Sequence, residues 1–179
     1  MRWRGEYALA LVRRGIVMRQ RVDGAGRTMA IDIAGPGSAL PIGTLGESGD
    51  YGYAVDDALL CLAPADTLER AVAAGATNAL DVVRAQASIL ERVERIAEAR
   101  GRASASSRVA GLLLTLGETL TPTRLTTIPP SIQQRDLAAL LALRHESVCR
   151  SLATLVKRNL VSRTAHGLRL VDRRSLASV

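Results

Sequence analysis

The chain has 179 residues and a net charge of +7, and 47% of it is hydrophobic although it contains no phenylalanine. Aliphatic side chains must therefore fill the core of one large or two small domains. No apolar run approaches the roughly 18–20 residues that cross a bilayer, the start Met1-Arg2-Trp3-Arg4 has no signal-peptide stretch, and Cys61 and Cys149 form no metal-type spacing, so a reduced cytoplasmic setting without a membrane partner is expected.

The first third reads as β. Tyr7–Val12 and Ile16–Val22 are short runs rich in branched residues, separated by Arg13-Arg14-Gly15. Asp23-Gly24-Ala25-Gly26 is a hairpin turn signal. Thr28–Ile33 alternates apolar and polar residues before Gly35-Pro36-Gly37 interrupts it, and after glycines that recur through Gly52, Ala58–Leu62 makes one more strand. Short strands with Gly-rich turns predict a small antiparallel barrel or roll.

The period then changes. Asp66–Ala74 reads as a short helix broken near Gly75. Thr77–Arg100 contains neither Gly nor Pro and reads as one helix about 36 Å long. Leu80, Val83, Ala87, Leu90 and Ala97 follow a 3,4 spacing, with Val93 and Ile96 beside them. Such a stripe is a coiled-coil-like seam of about three heptads. A helix packed on its own domain is the plainer reading, but so thin a stripe on so long a helix suits the matching helix of a second copy better. The expected domains are thus a β-rich part over 1–76, a dimerisation helix over 77–101 and a third part over 102–179.

Gly101 to Ser107 is a hinge-like run of small residues whose serines can cap a helix over Arg108–Leu116. Thr119–Pro130 is an irregular connection. Ser131-Ile132-Gln133-Gln134 fits a capping box with Ser131 as N-cap and Gln134 at the third helical position. The short helix after it buries Leu137, Leu140 and Leu141. Following a break at Ala142-Leu143-Arg144, a second helix runs from about His145 to Arg158.

In this second helix Val148, Leu152, Leu155 and Val156 form the buried stripe, leaving His145, Glu146, Cys149 and Arg150 on the other face, with Ala153 next. Two helices joined by a tight turn, the second presenting polar residues at its start, is helix-turn-helix geometry. In a major groove Arg can donate twice to guanine O6 and N7, and Glu can accept from cytosine N4. Leu160–Arg163 and Leu168–Val171 then flank Thr164-Ala165-His166-Gly167 as a glycine-tipped hairpin, the wing of a winged helix-turn-helix. Arg163 and Arg169 on the wing, and Lys157 and Arg158 at the helix end, are suited to phosphate contact.

Charge supports this division. Residues 1–101 carry 12 Arg and 13 Asp/Glu, a balance of −1, whereas residues 102–179 carry 12 Arg/Lys and 4 Asp/Glu, a balance of +8. Basic excess confined to one part points to an anionic partner for that part. Against it stands the fact that Glu146 and Arg150 also make a favourable i,i+4 pair, worth roughly 0.3–0.5 kcal/mol on any exposed helix. The DNA reading rests on the conjunction of helices, wing, basic excess and upstream dimer helix.

With those residues in view, the chain resembles the Crp/Fnr family of bacterial transcription regulators, in order and over nearly all its length. The family's Arg-Glu-Thr-Val-(Ser/Gly)-Arg reading segment is His145-Glu146-Ser147-Val148-Cys149-Arg150 here. Residues 133–141, Gln-Gln-Arg-Asp-Leu-Ala-Ala-Leu-Leu, match the first helix of the motif; Ser107-Arg108-Val109-Ala110 sits like the segment after the family hinge; Gly15, Gly26, Gly35 and Gly37 match roll glycines. The resemblance implies an α+β chain with a shortened antiparallel β-roll of the cyclic-nucleotide-binding type, a long dimerisation helix and a C-terminal winged helix-turn-helix. It implies a homodimer on a palindromic, double-stranded operator, with RNA polymerase as a further partner. It also implies that Glu146 and Arg150 read bases beside His145 and Cys149, and that Gln133, Gln134, Arg144 and Ser147 join the phosphate contacts. Four positions depart from the pattern. His145 replaces the first Arg, Ala142 the Gly of the turn, and Arg144 the Ser before the reading helix. Cys149 replaces Ser or Gly; it reads first as small-residue packing at the DNA face, with base contact or thiol oxidation as alternatives.

Cyclic-nucleotide-binding members use Gly-Glu-Leu for the ribose and an Arg for the phosphate. Here Gly43-Thr44-Leu45 stands in the first place, and no Arg or Lys occurs between Arg27 and Arg70. A buried phosphate needs a cation, so cyclic AMP is not expected to bind by that route. Two cysteines are too few for an iron–sulfur sensor, and both histidines, His145 and His166, lie far from the roll in sequence. The chain also starts late relative to the family roll. No resident cofactor or metal and no catalytic residue is expected, and the regulator is expected to act without a ligand or through its abundance. The competing function is an effector-sensing module whose winged domain binds proteins. An enzyme has no phosphate loop, metal cluster or activated nucleophile to rest on.

Overall fold

A computed structural model of the protein describes residues 7–41, 50–120 and 127–179. Gly43-Thr44-Leu45 and the middle of the connection after Thr119 lie outside the described residues. The chain divides into two compact units, Met1–Arg92 and Val93–Val179. Among the described residues, no helix is long and apolar enough to cross a membrane.

Among its described residues the first unit contains six strands, β1 (Tyr7–Arg14), β2 (Val17–Val22), β3 (Thr28–Ala34), β4 (Ala39–Pro41), β5 (Asp50–Ala54) and β6 (Leu59–Pro64), then helix α1 (Ala65–Ala73) and the start of α2 (Ala76–Gly101). They form two antiparallel three-stranded sheets, ordered β4-β1-β6 and β3-β2-β5. Two small antiparallel sheets are the expected roll. Its core is aliphatic, as the lack of phenylalanine requires: Ala10, Val12, Val17, Ala34 and Leu40 are almost fully buried together. A second cluster of Leu9, Ala39 and Ile89 brings α2 onto β1 and β4.

The turns follow local chemistry. β1 runs on through Arg13 and Arg14 and reverses at Gly15, whose φ is +79°; a Cβ there would stand 2.2 Å from the Asp57 carbonyl oxygen. Between β2 and β3, Asp23 accepts from the backbone N–H of Ala25 and Arg27, both at 2.9 Å, and Gly26 takes φ +77°. The sequence did not single out β4 or β5. Each is short, and β5 is Asp-Tyr-Gly-Tyr-Ala, which carries little apolar alternation.

A buried ion pair ties the roll to α2. Arg92 donates to both carboxylate oxygens of Asp32, at 2.6 and 2.7 Å, and to the Ala39 carbonyl at 2.8 Å. Asp32 is 0% and Arg92 6% exposed. Arg19, also buried, lies 3.8 Å from Asp50, its Nε has no partner, and burial pushes its pKa below the ordinary value.

Helix α2 has two apolar faces. Ile89, Ile96 and Ala99 are buried, while Leu80, Val83 and Leu90 are 52%, 62% and 58% exposed. Ala87 and Ala97 are exposed as well, and Val93 is half-buried. The seam residues therefore turn away from the core that the other face joins.

The second unit holds the end of α2, then α3 (Ala105–Thr119), β7 (Thr127–Ile128), α4 (Gln134–Leu141), α5 (His145–Lys157), β8 (Val161–Thr164), β9 (Gly167–Leu170) and α6 (Arg173–Ala177). α3 starts earlier than its apolar pattern suggested, because Ser104 caps it in a reciprocal pair with Ser107. The box expected at Ser131 and Gln134 falls two residues later. Gln133 is the N-cap, and its N–H donates to Asp136 at 2.8 Å. A turn closed by Ile132 N–H on the Pro129 carbonyl delays the helix and buries Ile132. Leu112, Leu113, Leu116, Leu137, Leu140, Leu141, Val148, Leu152 and Leu155 form the core around α3, α4 and α5.

Candidate nucleic-acid interface

α4 ends at Ala142, which takes φ 51° and ψ 40°, the left-handed conformation that glycine usually supplies. Its N–H returns to the Ala138 and Ala139 carbonyls, and Leu143 N–H reaches Ala138 at 3.0 Å. Three residues later α5 begins, with Arg144 as an N-cap that makes no side-chain capping bond. Ser147 and Val148 N–H return to the Arg144 carbonyl, so the N–H groups of His145 and Glu146 are the ones left to solvent or to an anion.

α5 buries Val148, Ser151, Leu152 and Leu155. Val156, placed on the buried stripe by its spacing, is only half-buried, and Ser151 takes the fully buried place instead. His145, Glu146, Arg150 and Ala153 are exposed, while Ser147 and Cys149 are half-buried. Among the described residues, no ion pair joins Glu146 to Arg150. Both are exposed at the start of the helix, where their bonding groups remain available.

Cys149 has a more specific environment than packing alone. Its Sγ donates to Gln134 Oε1 at 2.7 Å and lies 3.6 Å from His145 Nδ1. That contact joins α5 to the start of α4, and in this structure it occupies the Gln134 carbonyl. Gln133, Gln134, Arg135 and His145 border a cavity of about 510 Å³ whose opposite wall is the wing, through Arg163, Thr164 and Leu168. The structure thus gathers four of the sequence-expected residues, Gln133, Gln134, His145 and Arg163, about one groove.

Others lie apart. β8 pairs with β9 so that Arg163 faces Leu168 and Ser162 faces Arg169. Cross-strand partners share a face and neighbours alternate, so Arg163 and Arg169 lie on opposite faces of the wing. Lys157 and Arg158 are at the far end of α5, about 18 Å along the axis from His145. β9 is also paired with β7, with Thr127 opposite Arg169, which makes the wing a three-stranded sheet ordered β7-β9-β8. The two residues of β7 gave no sequence signal. Arg135 was missed as well: it is exposed on the groove wall, and its place directly after Gln133-Gln134 is the signal that could have found it.

A helix, a three-residue turn, an amphipathic second helix and a hairpin packed beside them define a winged helix-turn-helix, a class of DNA-binding unit. Residues 107–179 match the Crp-like helix-turn-helix domain family. Solved structures extend the likeness in fold to the rest of the chain. FixK2 from Bradyrhizobium japonicum is 22% identical with a TM-score of 0.79, over 99% of this chain and 94% of that one. A CRP-family transcriptional regulator from Thermus thermophilus is 19% identical with a TM-score of 0.73, over 100% and 93%. A CooA variant from Carboxydothermus hydrogenoformans is 17% identical with a TM-score of 0.72, over 99% and 85%. No curated protein matches the sequence. Residues 107–179 therefore carry a DNA-binding helix-turn-helix domain of the Crp-like family, and the chain as a whole has the fold of Crp/Fnr-type transcription regulators.

Proposed function

We propose that this regulator acts in the cytoplasm as a homodimer, with α5 of each copy in the major groove of a two-fold symmetric operator. The observation that carries the reading is the exposure of Glu146 and Arg150 on the face of α5 opposite Val148, Leu152 and Leu155. Arg150 donates to guanine O6 and N7, and Glu146 accepts from cytosine N4. His145 and Cys149, held beside Gln134, adjust the reading at the same end of the helix. Gln133, Gln134, Arg144, Ser147 and Arg163 hold phosphates near that end, and Lys157, Arg158 and Arg169 hold them farther away.

Dimerisation is supported by the exposed row of Leu80, Val83, Ala87, Leu90 and Ala97 on α2, completed by Val93. A helix apolar on two faces requires a second partner for the outer one. The domain limits follow: a roll over 1–76, a dimer helix over 77–101 and a DNA-binding part over 102–179, with RNA polymerase as the partner at the promoter. The roll acts without cyclic AMP, a reading favoured by Arg92 being committed to Asp32 and Ala39. A melting temperature raised by cyclic AMP or cyclic di-GMP would overturn that part.

Gel shift on a duplex selected by the protein, repeated from low to physiological salt, tests the central reading. Affinity should fall steeply with salt while one sequence stays preferred by at least about 1,000-fold. Equal binding to all sequences would reject operator recognition.

A further inference from the structure

The end of α2 is fastened to the DNA-binding fold by contacts that touch neither DNA nor the outer seam. Arg100 Nε donates to the Leu140 carbonyl at 2.5 Å. Leu140 lies in the last turn of α4, where carbonyls have no partner within the helix. The N–H groups of Ala142 and Leu143 serve Ala138 and Ala139, so the Leu140 carbonyl receives its donor from another helix. A cation there also suits the negative end of the helix. The contact falls directly before the turn that sets the direction of α5.

Glu118 makes the second fastening. It sits at the exposed end of α3 and pairs with Arg95 of α2 and with Arg173 at the start of α6, the latter at 2.8 Å. The third is steric: the Arg102 side chain lies against Gly111 of α3, where a Cβ would stand 2.9 Å from its Nε. Between these points Ile96 and Ala99 are buried, at 0% and 2% exposure. Val93 and Ala97, on the same stretch of α2, belong to the proposed seam.

We infer that Arg100, supported by Glu118, is a positioning residue: it sets the spacing and angle at which a dimer presents its two reading helices. The inference rests on the homodimer reading above. Its physical content is that the last seam residues, Val93 and Ala97, lie in the same compact unit as the reading helix, so that a symmetric operator of only one spacing can engage both copies. Loss of the tie would leave each reading helix intact but free to reorient.

The test uses the full chain and three kinds of duplex: the symmetric site that the wild-type protein selects from random sequence, the same site with two base pairs added at its centre, and a single half-site. The wild-type protein should bind the lengthened site about 100-fold more weakly, because simultaneous engagement is lost. Arg100→Gln should lower affinity for the native site about tenfold and shrink the spacing penalty to a few-fold, with half-site affinity unchanged. Arg100→Lys should restore part of the penalty. Glu118→Gln, at an exposed site that does not threaten folding, should act in the same direction more weakly. A variant pair that keeps the full spacing penalty overturns the inference, as does an equal loss on half-site and full site. A wild-type protein that selects no symmetric site overturns the homodimer reading itself, which separates the two failures.

Discussion

The two units use arginine in opposite ways. In the first, arginines are matched to acids: Arg21 with Asp50, Arg27 with Asp23, Arg70 with Asp66, Arg84 with Asp81, and Arg92 with Asp32 inside the fold. From Arg102 onwards there are 12 basic residues and four acids, and three of those acids have structural tasks. Glu118 joins helices, Asp136 receives the N-cap N–H of α4, and Asp172 caps α6. The fourth, Glu146, has no bond of this kind among the described residues and sits exposed on α5. Charge balance in the first unit holds a fold together, whereas the excess of cations in the second, and the exposed Glu146, suit the DNA partner proposed above.

Breaking the buried pair should give the largest effect. Asp32→Asn leaves the Arg92 guanidinium desolvated without its counter-charge, a change that costs about 3–5 kcal/mol. Urea unfolding followed by a probe in the roll should show that loss. A cost below about 1 kcal/mol, the range of surface pairs, would show that the pair is effectively solvated and would remove the contrast between the units.

Arg150→Ala tests the other half. It should cost about 1–3 kcal/mol on the selected operator and relax the preference at one base pair. Stability should change by no more than about 0.5 kcal/mol, as for a surface position. A loss of stability equal to the loss of binding would make Arg150 part of the fold and return the Glu146–Arg150 spacing to a helix-surface feature.

What was legible in the sequence follows the same division. Long periodic segments such as α2 and α5 showed themselves because one buried stripe fixes the face of every other residue, and Gly15, Asp23 and Gly26 announced their turns by chemistry. β4, β5 and β7 did not, since a strand of two to five residues shows too few alternations and owes its place to its neighbours. The stretch between Arg27 and Arg70 carries no cation, but the chain brings Arg19 and Arg92 into that unit from β2 and from a helix 60 residues beyond Asp32. At the interface, helical spacing identified the exposed face of α5, but not that Arg163 and Arg169 part across the wing. That depends on a hairpin register, which one residue of slip would reverse.

A smaller effect sharpens the contrast within the second unit, whose turn stores strain at a position without glycine. Ala142 at φ 51° carries a left-handed cost of about 1–2 kcal/mol, from which the greater unfolded-state freedom of glycine subtracts about 0.4–1 kcal/mol. Ala142→Gly should therefore stabilise the protein by about 0.5–1 kcal/mol in urea titration, with operator affinity preserved. Destabilisation would mean that the methyl group is needed where it stands.

The smallest effect asks whether exposed acids differ between the units at all. Asp23 and Asp172 are both solvent-exposed. The Arg27 N–H and then its guanidinium hold the Asp23 pKa below the ordinary carboxylate value, and the Ser175 hydroxyl and N–H do the same for Asp172. A carboxylate with a depressed folded pKa contributes stability that is fully present above its unfolded value of about 3.9. That contribution is lost as pH falls through the lower folded value. Carboxyl carbon NMR titration should find both groups titrating below ordinary aspartate, and Ser175→Ala should return Asp172 toward it while Asp23 stays unchanged. If Asp172 already titrates at the ordinary value, the α6 cap is not formed in solution. Asp172 would then join Glu146 as an uncommitted acid, and the assignment of three structural acids and one for recognition would no longer hold.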